Sequence, residues 1–254
     1  LNGKAVLPMV LGLGCDTMAT LTTRILDSKK ERLIVILLLA LGVPCSAQLG
    51  VILGMLAGVS LKAAILWAST IVGVILMVGF LAAQILPGKG SDFVLELPPL
   101  RIPQLSNILI KTAAHIEWYL REAVPLFLLG TLILFILDQF ALLGVIESWA
   151  SPVVVGFLDL PIKATESFIV GFLRRDYGAA GLYTLFEAGQ LDPIQVVVSL
   201  VTITLFVPCI ANFFIIIKEK GWKIALAVVC FIFPFAFLVG GALNWILRWA
   251  QIQL

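Results

Sequence analysis

Five stretches of this chain are apolar over the length needed to cross a lipid bilayer: 33–57, 63–86, 124–146, 194–217 and 224–247. About twenty residues in a helix cover the ~30 Å hydrocarbon core, and in lipid a helix satisfies all of its own backbone groups. The whole composition agrees: 61% of residues are hydrophobic and 13% charged, with a mean hydropathy of +1.12, whereas about a quarter of a soluble domain is charged. The expectation is an all-α polytopic membrane protein with about five full spans. A net charge of +2 is too small to argue for nucleic acid as a partner, and the basic residues fall in short connecting segments, as the positive-inside rule places them. Cys15, Cys45, Cys209 and Cys230 lie in or beside apolar segments, so thiols are expected and not a disulfide framework. The chain opens "LNGKAVLPMV" without an initiator Met or a readable targeting signal, and a piece of something longer is the expectation.

Two further apolar segments are too short and too broken to cross. Residues 5–26 are interrupted by "GLGCD" and residues 161–188 by "RRDYGAAG". Each reads as a re-entrant hairpin whose break faces protein or a wet cavity, since non-helical backbone is not tolerated against lipid. Residues 87–122 read as an extramembrane loop containing "ELPPLRIPQ", followed by a mixed-charge amphipathic helix. His115, the one histidine, is expected on the surface of that helix. The order hairpin, charged linker, span with a central V-P-C occurs twice. "RILDSKKER" precedes the first such span and "KEKGWK" follows the second, so if both are cytoplasmic the two spans run in opposite senses and the 138–163 segment lies outside. The expected organisation is an inverted repeat: a first repeat at 1–61, central spans and loop at 62–160, and a second repeat with a final span at 161–254. Inverted repeats with discontinuous helices are an architecture of secondary transporters.

The chemistry is concentrated at the breaks. "LGVPCSAQLG" and "LFVPCIANFF" each place a proline and a cysteine about a dozen residues into a span, or ~18 Å along the helix. Proline frees a carbonyl a turn earlier, and the carboxamides Gln48 and Asn212 follow their cysteines by three positions on the same face. In the first hairpin Cys15 and Asp16 put a thiol and a carboxylate beside a helix start; a charged group within the membrane is costly and usually functional. Thiols, carboxamides, a carboxylate and freed carbonyls suit a borderline transition metal such as Fe²⁺ better than Ca²⁺ or Mg²⁺. The expected metal pathway is therefore Cys15, Asp16, Cys45, Gln48, Cys209 and Asn212, with Arg174, Arg175 and Asp176 as structural or gating residues at the second hairpin tip. Plainer readings stay open at each position: a proline kink with a small buried cysteine, Asp16 as a helix N-cap, an internal Arg–Asp pair in the second tip, and packing alone for Cys230. The chain has no G-x-x-x-x-G-K-(S/T) phosphate loop, so GTP binding is not expected within it.

"GKAVLPMVLGLGCDTMATLTTR", "ELPPLRIP", "FLRRDYGAAGLY", "LFVPCIAN" and "KEKGWK" resemble the membrane part of the ferrous iron transporter B family, over essentially the whole chain. The resemblance implies Fe²⁺ uptake across a bacterial or archaeal inner membrane. It also implies an N-terminal GTP-binding domain or separate GTPase subunit with its GTP and Mg²⁺, a small cytoplasmic accessory protein, and a homo-oligomer. The family's Gate cysteines fall on Cys15, Cys45 and Cys209. The chain departs from the commoner G-F-G-C-N-V-P at Asp16, Thr17 and Met18, and has Gln48 where S-C-x-A-R carries Arg. No cofactor is expected in this chain, Fe²⁺ being the cargo. The alternatives are a Gate transporter of another divalent metal or of an organic solute such as a nucleoside, a membrane redox enzyme subunit, and an assembly subunit with no pathway.

Overall fold

The structure, a computed structural model, describes residues 3–87, 104–139, 142–206 and 208–250. The loop expected around "ELPPLRIPQ" lies outside them except for its last residue, and so does the side chain of His115. Every regular element among the described residues is helical. A 3-10 turn at Gly3–Ala5 leads into α1 (Val6–Gly12) and α2 (Asp16–Thr22); a second at Thr23–Ile25 leads to α3 (Lys29–Gly42) and α4 (Ser46–Val59). Next come α5 (Leu61–Ile85), α6 (Leu105–Gln139), α7 (Leu142–Leu158), α8 (Ile162–Leu173) and α9 (Arg175–Glu187). The chain closes with α10 (Pro193–Leu205), α11 (Ile210–Lys220) and α12 (Trp222–Trp249).

Local chemistry sets the boundaries. Ser60 caps α5 by accepting the Ala63 N–H at 3.1 Å, satisfying one of the donors that a helix start leaves over. Asp192 and Gln195 form a reciprocal capping box at the start of α10, with Pro193 in its first turn, where a missing N–H costs nothing. Gly221, at φ +89°, turns the chain between α11 and α12 in a region that only glycine enters freely.

Four stretches among the described residues are long and apolar enough to cross a membrane: Lys29–Val59, Leu61–Ile85, Pro193–Lys220 and Trp222–Trp249. The fifth expected span, 124–146, straddles residues 140–141, which are outside the described set. The separate amphipathic helix is corrected: α6 runs unbroken from Leu105 through Pro125 to Gln139. The change from charged to apolar near residue 124 does not interrupt the helix, and an interior proline is tolerated when neighbouring groups take up the freed carbonyl.

At the centre stands α10, buried at every position from Val196 to Leu205. It packs against α3, α4, α5, α7, α9 and α12. Small residues bring its neighbours close: a Cβ on Gly240 of α12 would stand 2.1 Å from Thr202 Oγ1. In the second hairpin, a Cβ on Gly178 would stand 2.5 Å from the Gly171 Cα, so α8 and α9 touch backbone to backbone, the use membrane helices commonly make of glycine. Ion pairs tie the two ends of the molecule. Arg24 meets Glu219, and Lys4 meets Asp27 at 2.8 Å. Asp159 meets Arg248 at 2.5 Å, and its carbonyl accepts from Gln195 Nε2 at 2.6 Å.

Candidate functional site: a crossing of four helix breaks

Four helix pairs are interrupted inside the fold: α1/α2, α3/α4, α8/α9 and α10/α11. In each, the residue preceding the second helix is extended, with ψ of 116° at Cys15, 162° at Cys45, 113° at Arg174 and 154° at Cys209. A cysteine thus occupies the N-cap position at three of the four helix starts. At the second break Pro44 supplies no N–H, which leaves the Ala40 carbonyl without its helical donor.

Arg175, the first residue of α9, gathers the breaks. Its side chain is 3% exposed. The guanidinium donates to Asp16 Oδ2 at 2.7 Å, to the Val43 carbonyl at 3.1 Å, to the Phe206 carbonyl at 3.3 Å and to the Ala40 carbonyl. One side chain therefore binds the start of α2, the end of α3 and the end of α10. Further bonds close the ring. Ser46 donates to the Gly14 carbonyl through Oγ at 3.1 Å and through its N–H at 3.3 Å. Gln48 Nε2 donates to the Ile203 carbonyl at 3.2 Å, and Thr20 Oγ1 to Asn212 Oδ1 at 2.9 Å. Trp67 Nε1 donates to Thr204 Oγ1 at 3.3 Å, joining α5 to α10. Phe206 lies edge-on to Phe168 and Phe237, at centroid distances of 5.6 and 5.5 Å. These rings wall one side of the break with apolar surface.

Each residue singled out from the sequence has a definite place. Asp16, Gln48 and Asn212 are buried, and Cys15, Cys45 and Cys209 are half-buried. Arg175 and Asp16 lie within electrostatic range of both Cys45 and Cys209, and Cys15 within that of Cys209. Arg174 pairs with Asp176 at 2.7 Å and stands 4.1 Å over the Tyr177 ring, whereas Arg175 reaches across to the other half. Cys230 is exposed on α12. Asp16 Oδ1, Gln48 Oε1 and Asn212 Nδ2 are buried without a protein partner. Among the described residues no three His, Cys, Asp or Glu side chains gather closely enough to hold a metal. Of the carbonyls a turn before the two prolines, that of Ala40 is taken by Arg175, which also takes those of Val43 and Phe206, while Gln48 takes that of Ile203. Thr20, Ser46, Trp67 and Thr204 were not visible as site residues in the sequence. The Asp16–Arg175 pair had a usable signal, since two opposite charges set in apolar segments each require a counter-charge.

A polytopic helical membrane protein whose interrupted helices converge on a buried, charged crossing is the class that fold and site define. Two family models match: Gate, described as nucleoside recognition, over 1–59 and 120–223, and the ferrous iron transport protein B C terminus over 64–114. The chain belongs to the ferrous iron transport protein B family, in its Gate-containing membrane region. It is 26% identical over 275 residues to the Fe(2+) transporter FeoB of Methanocaldococcus jannaschii, covering 94% of this chain and 41% of that protein. Identity to the Fe(2+) transporter FeoB of Staphylococcus aureus strain MSSA476 is 26% over 258 residues, covering 90% and 39%. A Porphyromonas gingivalis Fe(2+) transport protein A/Fe(2+) transporter FeoB fusion protein is 30% identical over 146 residues, covering 55% and 17%. The chain thus spans about two fifths of the length of the first two curated relatives. No solved structure matches.

Proposed function

We propose that this chain carries ferrous iron across the inner membrane of a bacterium or archaeon, the ion passing the crossing between Cys45 and Cys209. Cys15, the Asp16 carboxylate and the carboxamide oxygens of Gln48 and Asn212 complete the pathway. The observation that carries this reading is the set of three cysteines at helix starts beside two buried, unpartnered oxygens, Asp16 Oδ1 and Gln48 Oε1. Sulfur with a few oxygens selects borderline metals over Ca²⁺ and Mg²⁺. Asn212 Nδ2 is buried without a partner; a half-turn of the amide would offer Oδ1 to the ion while the Thr20 hydroxyl accepts from Nδ2. Naming Fe²⁺ as the cargo follows the family and the relatives' names.

An inverted repeat is supported by the order of contacts. Arg24 meets Glu219, Arg175 joins Ala40 and Val43 to Phe206, and Gln48 meets Ile203, so rising positions of the first half lie opposite falling positions of the second, as two oppositely directed spans require. α1 and α2 are seven residues each, ~10 Å long, which supports a re-entrant first hairpin. A GTP-binding domain or separate GTPase subunit, a small accessory protein and a homo-oligomer complete the assembly in this reading; the fused Porphyromonas gingivalis relative supports the accessory protein.

Fe²⁺ uptake at limiting metal tests the site. Cys45→Ser and Cys209→Ser each lower the uptake rate on the order of tenfold or more with membrane insertion unchanged, and Cys230→Ser leaves it intact. Normal uptake by the first two variants makes the breaks hinges only. The Gate model's description favours a nucleoside as the rival cargo, and inhibition of Fe²⁺ uptake by added nucleoside would favour that reading.

A further inference from the structure

Arg175 stands where the reading above, on which this inference rests, places the transported cation. Its acceptors are one carboxylate, from Asp16, and the carbonyl oxygens of Ala40, Val43 and Phe206, a set of hard oxygens that a desolvated divalent cation would also seek. The bonds reach the helix ends at three breaks from the start of the fourth, so the guanidinium both neutralises Asp16 and holds the crossing shut. It cannot share those oxygens with a dication, because like charges a few ångströms apart repel strongly between groups as buried as these.

We infer that Arg175 is a tethered cation that plugs the crossing between ions. An ion enters when the guanidinium leaves Asp16 and the three carbonyls, and return of the guanidinium expels the ion and recloses the path. Arg175 therefore sets ion affinity by competition, and no bond is made or broken covalently. The geometry calls for a planar fork that reaches several acceptors at once, which an ammonium cannot reproduce.

The test is equilibrium Fe²⁺ binding under anaerobic conditions by the full-length protein in lipid nanodiscs, combined with labelling of Cys45 and Cys209 by a membrane-impermeant maleimide without metal. Arg175→Gln raises Fe²⁺ affinity by about tenfold or more and speeds labelling at both cysteines, with labelling of Cys230 unchanged. Arg175→Lys falls between it and the wild type. Asp16→Asn lowers affinity, and Asp16→Asn/Arg175→Gln binds more tightly than Asp16→Asn, a comparison that stands even where Arg175→Gln alone does not fold. A structural ion pair predicts instead that Arg175→Gln and Asp16→Asn both weaken binding; that result, or unchanged labelling in Arg175→Gln, overturns the plug. Should no variant bind Fe²⁺, the wild type included, the iron reading fails and the labelling rates alone decide whether Arg175 closes the path.

Discussion

Arg175 and Asp16 are each 3% exposed, and each would cost several kcal/mol if buried alone among apolar helices. Their meeting, with three backbone carbonyls completing the guanidinium, offsets that cost and makes the pair a geometric constraint more than a source of net stability. The individual residue types were legible: cysteine after proline, a carboxamide three positions on, and charges inside hairpins all stand out against an apolar background. Their partners were not. The Arg175–Asp16 bond links positions 159 apart, and nothing in local spacing tells Arg175, which crosses to the first half, from Arg174, which closes on Asp176 two residues away. The same limit hid Thr20 and Trp67, ordinary residues of apolar helices until their donors meet Asn212 and Thr204 across the fold.

At the scale of elements, the interruptions were readable because proline and glycine act locally. Pro44 lacks the N–H that would continue α3 and crowds the turn before it, and the breaks fall where the V-P-C phrases stand. Pro125 shows the opposite outcome, lying inside α6 without ending it, so a proline marks a place where a helix can break and tertiary partners decide whether it does. At Pro44 the decisive partner is the guanidinium that takes the Ala40 carbonyl. Pro44→Ala would return an N–H to that carbonyl and compete with Arg175, favouring one continuous helix. A restored backbone hydrogen bond contributes about 0.5–1.5 kcal/mol. The expected outcome is a melting temperature equal to or above the wild type with Fe²⁺ uptake reduced by about tenfold, measured on the same preparation. Wild-type uptake in that variant would mean that the interruption of α3 and α4 is dispensable.

For the whole molecule, the charged ends give the orientation its basis. Arg24 and Glu219 join the two linkers rich in lysine and arginine, while Asp159 and Arg248 lie together at the start of α8 and the end of α12. In an inverted repeat with cytoplasmic linkers, a cysteine introduced at Ser148 reacts with an impermeant reagent applied outside intact cells and one at Ser28 does not; equal labelling would contradict that topology. The boundary of the 124–146 segment was not legible in the sequence, because the polarity change near residue 124 does not interrupt α6.

The central claim is that thiols from both halves of the molecule hold the ion at the crossing, and X-ray absorption at the iron edge on Fe²⁺-loaded protein tests it most directly. The account predicts sulfur among the nearest neighbours of iron in the wild type, and a shell of oxygen or nitrogen alone in Cys45→Ser/Cys209→Ser. A wild-type spectrum without sulfur, or one unchanged by the double substitution, would contradict it.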